Sequence, residues 1–78
     1  MKKPAAATRH LVVCIKNDGY PVSLEPRKIY VALSDPAAAQ HGQLRVIDES
    51  GNDYLYPESF FVPITLPLPV RKAILTAA

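Results

Sequence analysis

The chain has 78 residues, a formal net charge of +2, nearly half its residues apolar, and one cysteine. That length suits a single small domain that buries only about 60% of the surface of its unfolded chain. No internal disulfide can staple it, no apolar run reaches the ~20 residues of a membrane helix, and no apolar stretch follows the lysines of "MKKPAAATRH" to make a secretory signal, so a soluble, cytoplasmic protein is expected.

In chain order, residues 1–10 read as a flexible basic leader without periodicity. "LVVCIK" from Leu11 is a β-rich apolar run, and "NDG" ends it as a turn signal. "YPVSLEPRK" reads as an extended irregular loop in which Pro26 takes the second place of a turn. "KIYVALS" alternates Ile29, Val31 and Leu33 with Tyr30 and Ala32, the period of a strand. In "DPAAAQHG", Asp35 caps a helical turn, Pro36 opens it and Gly42 ends it. "QLRVIDE" and "DYLYP" flank "SG" or "SGN" and form a hairpin. With Ser50 and Gly51 at the tip, Val46 faces Leu55 and Ile47 faces Tyr54. Leu44, Val46 and Leu55 then share the core side, and Arg45, Ile47, Tyr54 and Tyr56 the other. "PESFF" forms one tight turn, and "VPI" a last strand that Pro63 marks as an edge. Residues 65–78 read as a proline-rich tail, with a short helix over "VRKAILTAA" as the less favoured form.

Five short strands over residues 11–64 fit a small barrel better than a sandwich. The order of parts resembles the Src-homology-3-like barrel: a long first loop, a shorter second loop, a central hairpin, a single helical turn and a closing strand. "YLYPESF" is similar to that family's Gly-Leu-Phe-Pro-Ser-Asn-Tyr, with Leu55, Tyr56, Pro57 and Phe60 in corresponding places. The resemblance implies an all-β, five-stranded barrel with one short 3-10 turn and flexible termini. It does not carry over proline-peptide recognition. Gln43 or Leu44 stands where the family has its tryptophan, and Phe60 lacks the hydroxyl of the family's tyrosine. "NDGYPVSLEPRKIY" and "RVIDESGNDYLYP" also resemble a group of short uncharacterised bacterial proteins, which implies a bacterial origin and no activity.

Catalytic chemistry finds little footing. Cys14, His10 and His41 lack the paired spacings of a zinc site, so no metal is expected. Cys14 lies within an apolar strand, where thiols are inert. Three glycines make no phosphate loop, and no cofactor is expected. Asp48 and Glu49 read as solubilising charge on opposite faces. A non-catalytic binding or accessory module is therefore the expectation. It meets a protein partner, or a second copy of itself, through an aromatic hairpin face of Tyr20, Ile47, Tyr54, Tyr56, Pro57 and Phe60. The alternative is weak nucleic-acid binding by Arg27, Lys28, Arg45 and the basic tails. Against it, the stretch from Leu11 to Ile64 has four basic and seven acidic residues, which weakens attraction to phosphate.

Overall fold

The structure, a computed structural model, describes residues 8–77. Five strands form one antiparallel sheet: β1 (Arg9–Cys14), β2 (Ile29–Leu33), β3 (Gln43–Ile47), β4 (Asp53–Pro57) and β5 (Phe61–Pro63). Their order across the sheet is β4-β3-β2-β1-β5. A four-residue helix, α1 (Pro36–Ala39), joins β2 to β3, a 3-10 turn (Glu58–Phe60) joins β4 to β5, and α2 (Leu68–Ala77) follows the sheet. Of the leader expected over residues 1–10, residues 1–7 lie outside the described residues. Arg9 and His10 already belong to β1.

The sheet is curled, and the side chains reveal it. Strands β4 and β5 are its two edges, and across a flat five-stranded sheet they would stand roughly 19 Å apart. Yet the rings of Tyr56 on β4 and Phe61 on β5 lie 6.3 Å apart, edge to face. No hydrogen-bonded pairing links the two edges among the described residues, so the ladder does not close into the expected barrel. Side chains complete the closure instead. Val12 and Cys14 of β1, Tyr30 and Ala32 of β2, Val46 of β3, Tyr56 of β4 and Phe61 of β5 make one core on the concave face, joined by Leu24 and Phe60. Leu24 comes from the long loop between β1 and β2 and is almost wholly buried. The Asn17 side-chain amide donates to the Leu24 carbonyl at 3.1 Å. The loop thus contributes a core plug, worth roughly 1.5–3 kcal/mol.

Turn chemistry sets the connections. The Asp35 carboxylate accepts from the Ala38 N–H at 3.1 Å and caps α1, with Pro36 at its head. Lys28 N–H donates to the Glu25 carbonyl at 3.3 Å across Pro26 and Arg27, and Arg27 has φ +71°. A proline followed by a positive φ is the signature of a type II turn.

The β3–β4 hairpin departs from the expected register. Val46 pairs with Tyr54 and Ile47 with Asp53, one residue away from the pairing of Val46 with Leu55. The tip has three residues, not two. Asp48 N–H donates to Asn52 O at 3.0 Å and Gly51 N–H to Asp48 O at 3.0 Å, while Gly51 sits at φ +87°. This is a type I turn followed by a left-handed residue, a standard three-residue hairpin. The slip exchanges faces. Tyr54 and Tyr56 join Leu44 and Val46 on the concave side, and Leu55 moves to the convex side with Arg45 and Ile47.

The C-terminal segment also differs from expectation: it is a helix over Leu68–Ala77 rather than a tail. Arg71, Ile74 and Leu75, at helical spacing, form its half-buried face. The Arg71 guanidinium donates to the Arg9 carbonyl at 3.1 Å, and the Arg9 guanidinium to the Leu75 carbonyl at 3.4 Å. Ile74 shares a hollow with Ile29, Val31 and Ile47. The helix therefore lies over the convex face, where Leu11 is 2% and Val31 4% exposed. Leu11 and Val31 point away from the main core, and Val31 lines the same hollow as Ile74 of α2.

Candidate functional site

The six residues expected at the binding face do not stay together. Tyr56 and Phe60 are buried, at 3% and 8% exposure. Both are corrections to the expected open face: the hairpin register turns Tyr56 inward, and Phe60, in the 3-10 turn, packs into the same core. Ile47 lies on the convex face beside Ile74 of α2. Pro57 is half-buried at the end of β4. Tyr20 and Tyr54 remain open, at 39% and 53% exposure.

Those two tyrosines wall a groove of about 420 Å³ whose other lining residues are Ser23, Asp48, Ser50, Asn52, Leu55 and Tyr56. One wall belongs to the β1–β2 loop and the other to β4. Tyr20 stands edge-on to Tyr56, ring centroids 4.9 Å apart, and 6.2 Å from Phe60. Such pairs add ~0.5–1.5 kcal/mol beyond area burial. The loop is clamped to the hairpin tip. Glu49 N–H donates to the Ser23 carbonyl at 3.1 Å. The Tyr30 hydroxyl donates to the Glu49 carboxylate at 2.5 Å and accepts from Glu25 N–H at 2.8 Å. Lys28 Nζ reaches the same carboxylate at 2.6 Å. The groove is thus built on a fixed frame.

Asp48 is its unforeseen member. Sequence reasoning placed it on the surface, and the structure buries it to 6% exposure, the one buried charged side chain among the described residues. Its Oδ1 accepts from Ser50 N–H at 2.8 Å and from Ser50 Oγ at 2.5 Å, and the Tyr56 hydroxyl donates to Oδ2. Burial alone would raise its pKa, but the hydrogen bonds from Ser50 and Tyr56 outweigh it and hold the carboxyl below the usual range. The signal was present in "DESG": Asp at the first position of a type I turn and Gly at the fourth are preferred there.

The opposite effect falls on the phenols. Burial, reinforced by the Asp48 carboxylate, pushes Tyr56 up to about 12. Burial and Glu49 raise Tyr30 as well. The fold therefore favours both neutral hydroxyls. Stability from Tyr56 is fully present below an ordinary tyrosine pKa of ~10 and is lost as pH climbs through its folded value. In a phenolate-absorbance titration, Tyr56 should supply a late component that Tyr56→Phe removes. Full ionisation of that component by pH ~10 would contradict the buried hydroxyl–carboxylate contact.

The residues named for nucleic-acid binding do not gather. Arg45 is occupied by Asp35 at 2.8 Å and Asp53 at 3.1 Å, and Lys28 by Glu49. Arg27 is exposed on the β1–β2 loop. Lys2 and Lys3 lie outside the described residues. Cys14 is fully buried, its Sγ–H donating to the Lys16 carbonyl at 3.1 Å, and burial raises its pKa. Among the described residues no group of three or more His, Cys, Asp and Glu is placed to hold a metal ion, and no helix is long and apolar enough to cross a membrane.

A second hollow, about 390 Å³, opens at the opposite end of the concave face on a floor of Val12, Leu44 and Phe61. It is the more apolar of the two. Its Arg45–Asp35 pair is internally neutralised, whereas among the described residues no cation pairs with the Asp48 carboxylate of the tyrosine groove. Comparison with protein-family models, with curated proteins and with solved structures gives no match to this chain.

Proposed function

We propose that this chain is a non-catalytic binding module of the Src-homology-3-like kind that docks a protein partner in the groove between Tyr20 and Tyr54. The supporting observation is the exposure of these two rings, 39% and 53%, on either side of one concavity held rigid by Glu49. Two half-exposed aromatics on a fixed frame retain contact area that burial in a partner would remove from water. Large rings also lose little conformational freedom on binding, since each has only two side-chain torsions. The partner is a second protein, with self-association as the form the same surface would take between copies.

The test replaces Tyr54 by Ser and, separately, Tyr20 by Ser. Tyr54 is the cleaner probe, because it is more than half exposed and loses little core packing. The expected outcome is an unchanged far-UV spectrum together with loss of captured partner, or of dimer in light scattering. A folded Tyr54→Ser, Tyr20→Ser double variant with the same captured proteins and the same molar mass would overturn the reading. Nucleic-acid binding forecasts something else: retention on heparin at low salt that fades as salt rises.

A further inference from the structure

The groove has a chemical preference beyond being aromatic. Asp48 is among its lining residues, and no cation lies within ion-pair reach of that carboxylate among the described residues. Asp35 and Asp53 are paired with Arg45, Glu49 with Lys28 and Asp18 with Lys16. A buried carboxylate without a cation is costly unless hydrogen bonds satisfy it. Here three donors do so: Ser50 N–H, Ser50 Oγ–H and the Tyr56 hydroxyl. Those donors hold the charge in place while Asp48 remains part of the groove lining. Tyr20 and Tyr54 line the same groove, and aromatic rings attract cations to their faces. Ser23, Ser50 and Asn52 add neutral polar groups at the rim.

We propose that the groove receives an arginine side chain of the partner protein, its guanidinium held between Tyr20 and Tyr54 and directed at Asp48. Arginine fits better than lysine, because its planar group stacks on rings and donates to a carboxylate at once, and because it is more weakly hydrated. The acidic excess between Leu11 and Ile64 favours approach of such a segment. This inference rests on the binding-module reading and gives it a ligand chemistry.

The experiment titrates the isotope-labelled full chain with Nα-acetyl-arginine amide, its lysine counterpart and the uncharged citrulline counterpart, at matched ionic strength. Arginine amide should give saturable amide shifts centred on Tyr20, Ser23, Ser50, Asn52 and Tyr54, with affinity on the order of millimolar. Citrulline should bind roughly tenfold more weakly or worse, because the charge-assisted bond is gone. Tyr54→Leu, which keeps apolar bulk without the ring, should weaken arginine roughly two- to fivefold. Asp48→Asn should abolish the preference for arginine over citrulline. If Asp48→Asn does not fold, Tyr54→Leu carries the same test.

Equal binding of arginine and citrulline, tighter binding of lysine than of arginine, or shifts spread over Asp18, Glu25 and Glu58 would overturn the proposal. Loss of partner capture in the tyrosine-to-serine variants, with no preference for arginine, would sink this inference alone. Unchanged capture in those variants would sink the binding-module reading with it.

Discussion

Asp48→Leu is expected to destabilise the domain by roughly 2–4 kcal/mol, enough to leave a small domain partly unfolded near body temperature. The substitution strands the buried Tyr56 hydroxyl and frees the part-buried Ser50 N–H, since both end on this carboxylate. It also leaves the three-residue tip without the side chain that closes it. Milder changes separate these contributions. Asp48→Asn keeps an acceptor for Ser50 but loses the charge, and Tyr56→Phe removes one donor while keeping the ring; each should cost roughly 1–2 kcal/mol in urea unfolding. Because the two groups are bonded to each other, the double variant should cost less than the sum, by about 0.5 kcal/mol or more. Strict additivity would mean that the contact contributes nothing.

The pH dependence has a definite sign. Asp48 and Glu49 have folded pKa values below their ordinary ones. For Asp48 the donors from Ser50 and Tyr56 outweigh burial; for Glu49 the cause is Lys28 first and Tyr30 second. Their contribution is therefore present above ~4 and lost as pH falls through the folded values. The stability gap between the parent chain and Asp48→Asn should be widest near neutrality and should close on acidification below pH ~4. A gap that grows on acidification would show that Asp48 is neutral in the fold.

The strands were legible because alternation and turn residues agree. Ile29–Leu33 reads at period two, and Asp35–Pro36 announces α1. The candidate site was only half legible, and the miss traces to one residue. Apolar pairing alone favours a two-residue tip at Ser50 and Gly51, and that criterion treats an aspartate as surface. That criterion sets Leu55 opposite Val46, the place that Tyr54 occupies. Once Asp48 is inside, bonded to Ser50 and Tyr56, a three-residue tip follows and both tyrosines change face. Composition cannot reveal such a reversal, because a buried carboxylate looks like any other until its donors are known. Tyr20 was recognised as a candidate, but its seat on Tyr56 depends on a contact across 36 positions of chain that no local pattern encodes.

The C-terminal helix tests a different part of the fold. Ending the chain after Ile64 should lower stability by about 3–5 kcal/mol, the hydrophobic contribution of Leu11 and Val31 together. For a domain of this size that corresponds to a melting temperature lower by roughly 15–30 °C. Both side chains are nearly sealed, yet they point to the convex face, away from the ring-filled core. An exposed β-sheet face carrying Leu11, Val31, Ile29 and Ile47 would also be sticky, so the truncated chain should associate at concentrations where the full chain does not. Two smaller changes localise the effect. Ile74→Ala should reproduce a part of it, about 1–2 kcal/mol, because that side chain is only half buried. Leu68→Ala, at a position 63% exposed, should leave stability within ~0.5 kcal/mol. A truncated chain that melts within a few degrees of the parent would mean that Leu11 and Val31 are covered by something other than α2. Melting that falls as expected, with arginine still bound between Tyr20 and Tyr54, would separate the two faces of the sheet: the helix maintains the convex side, and the groove on the concave side works without it.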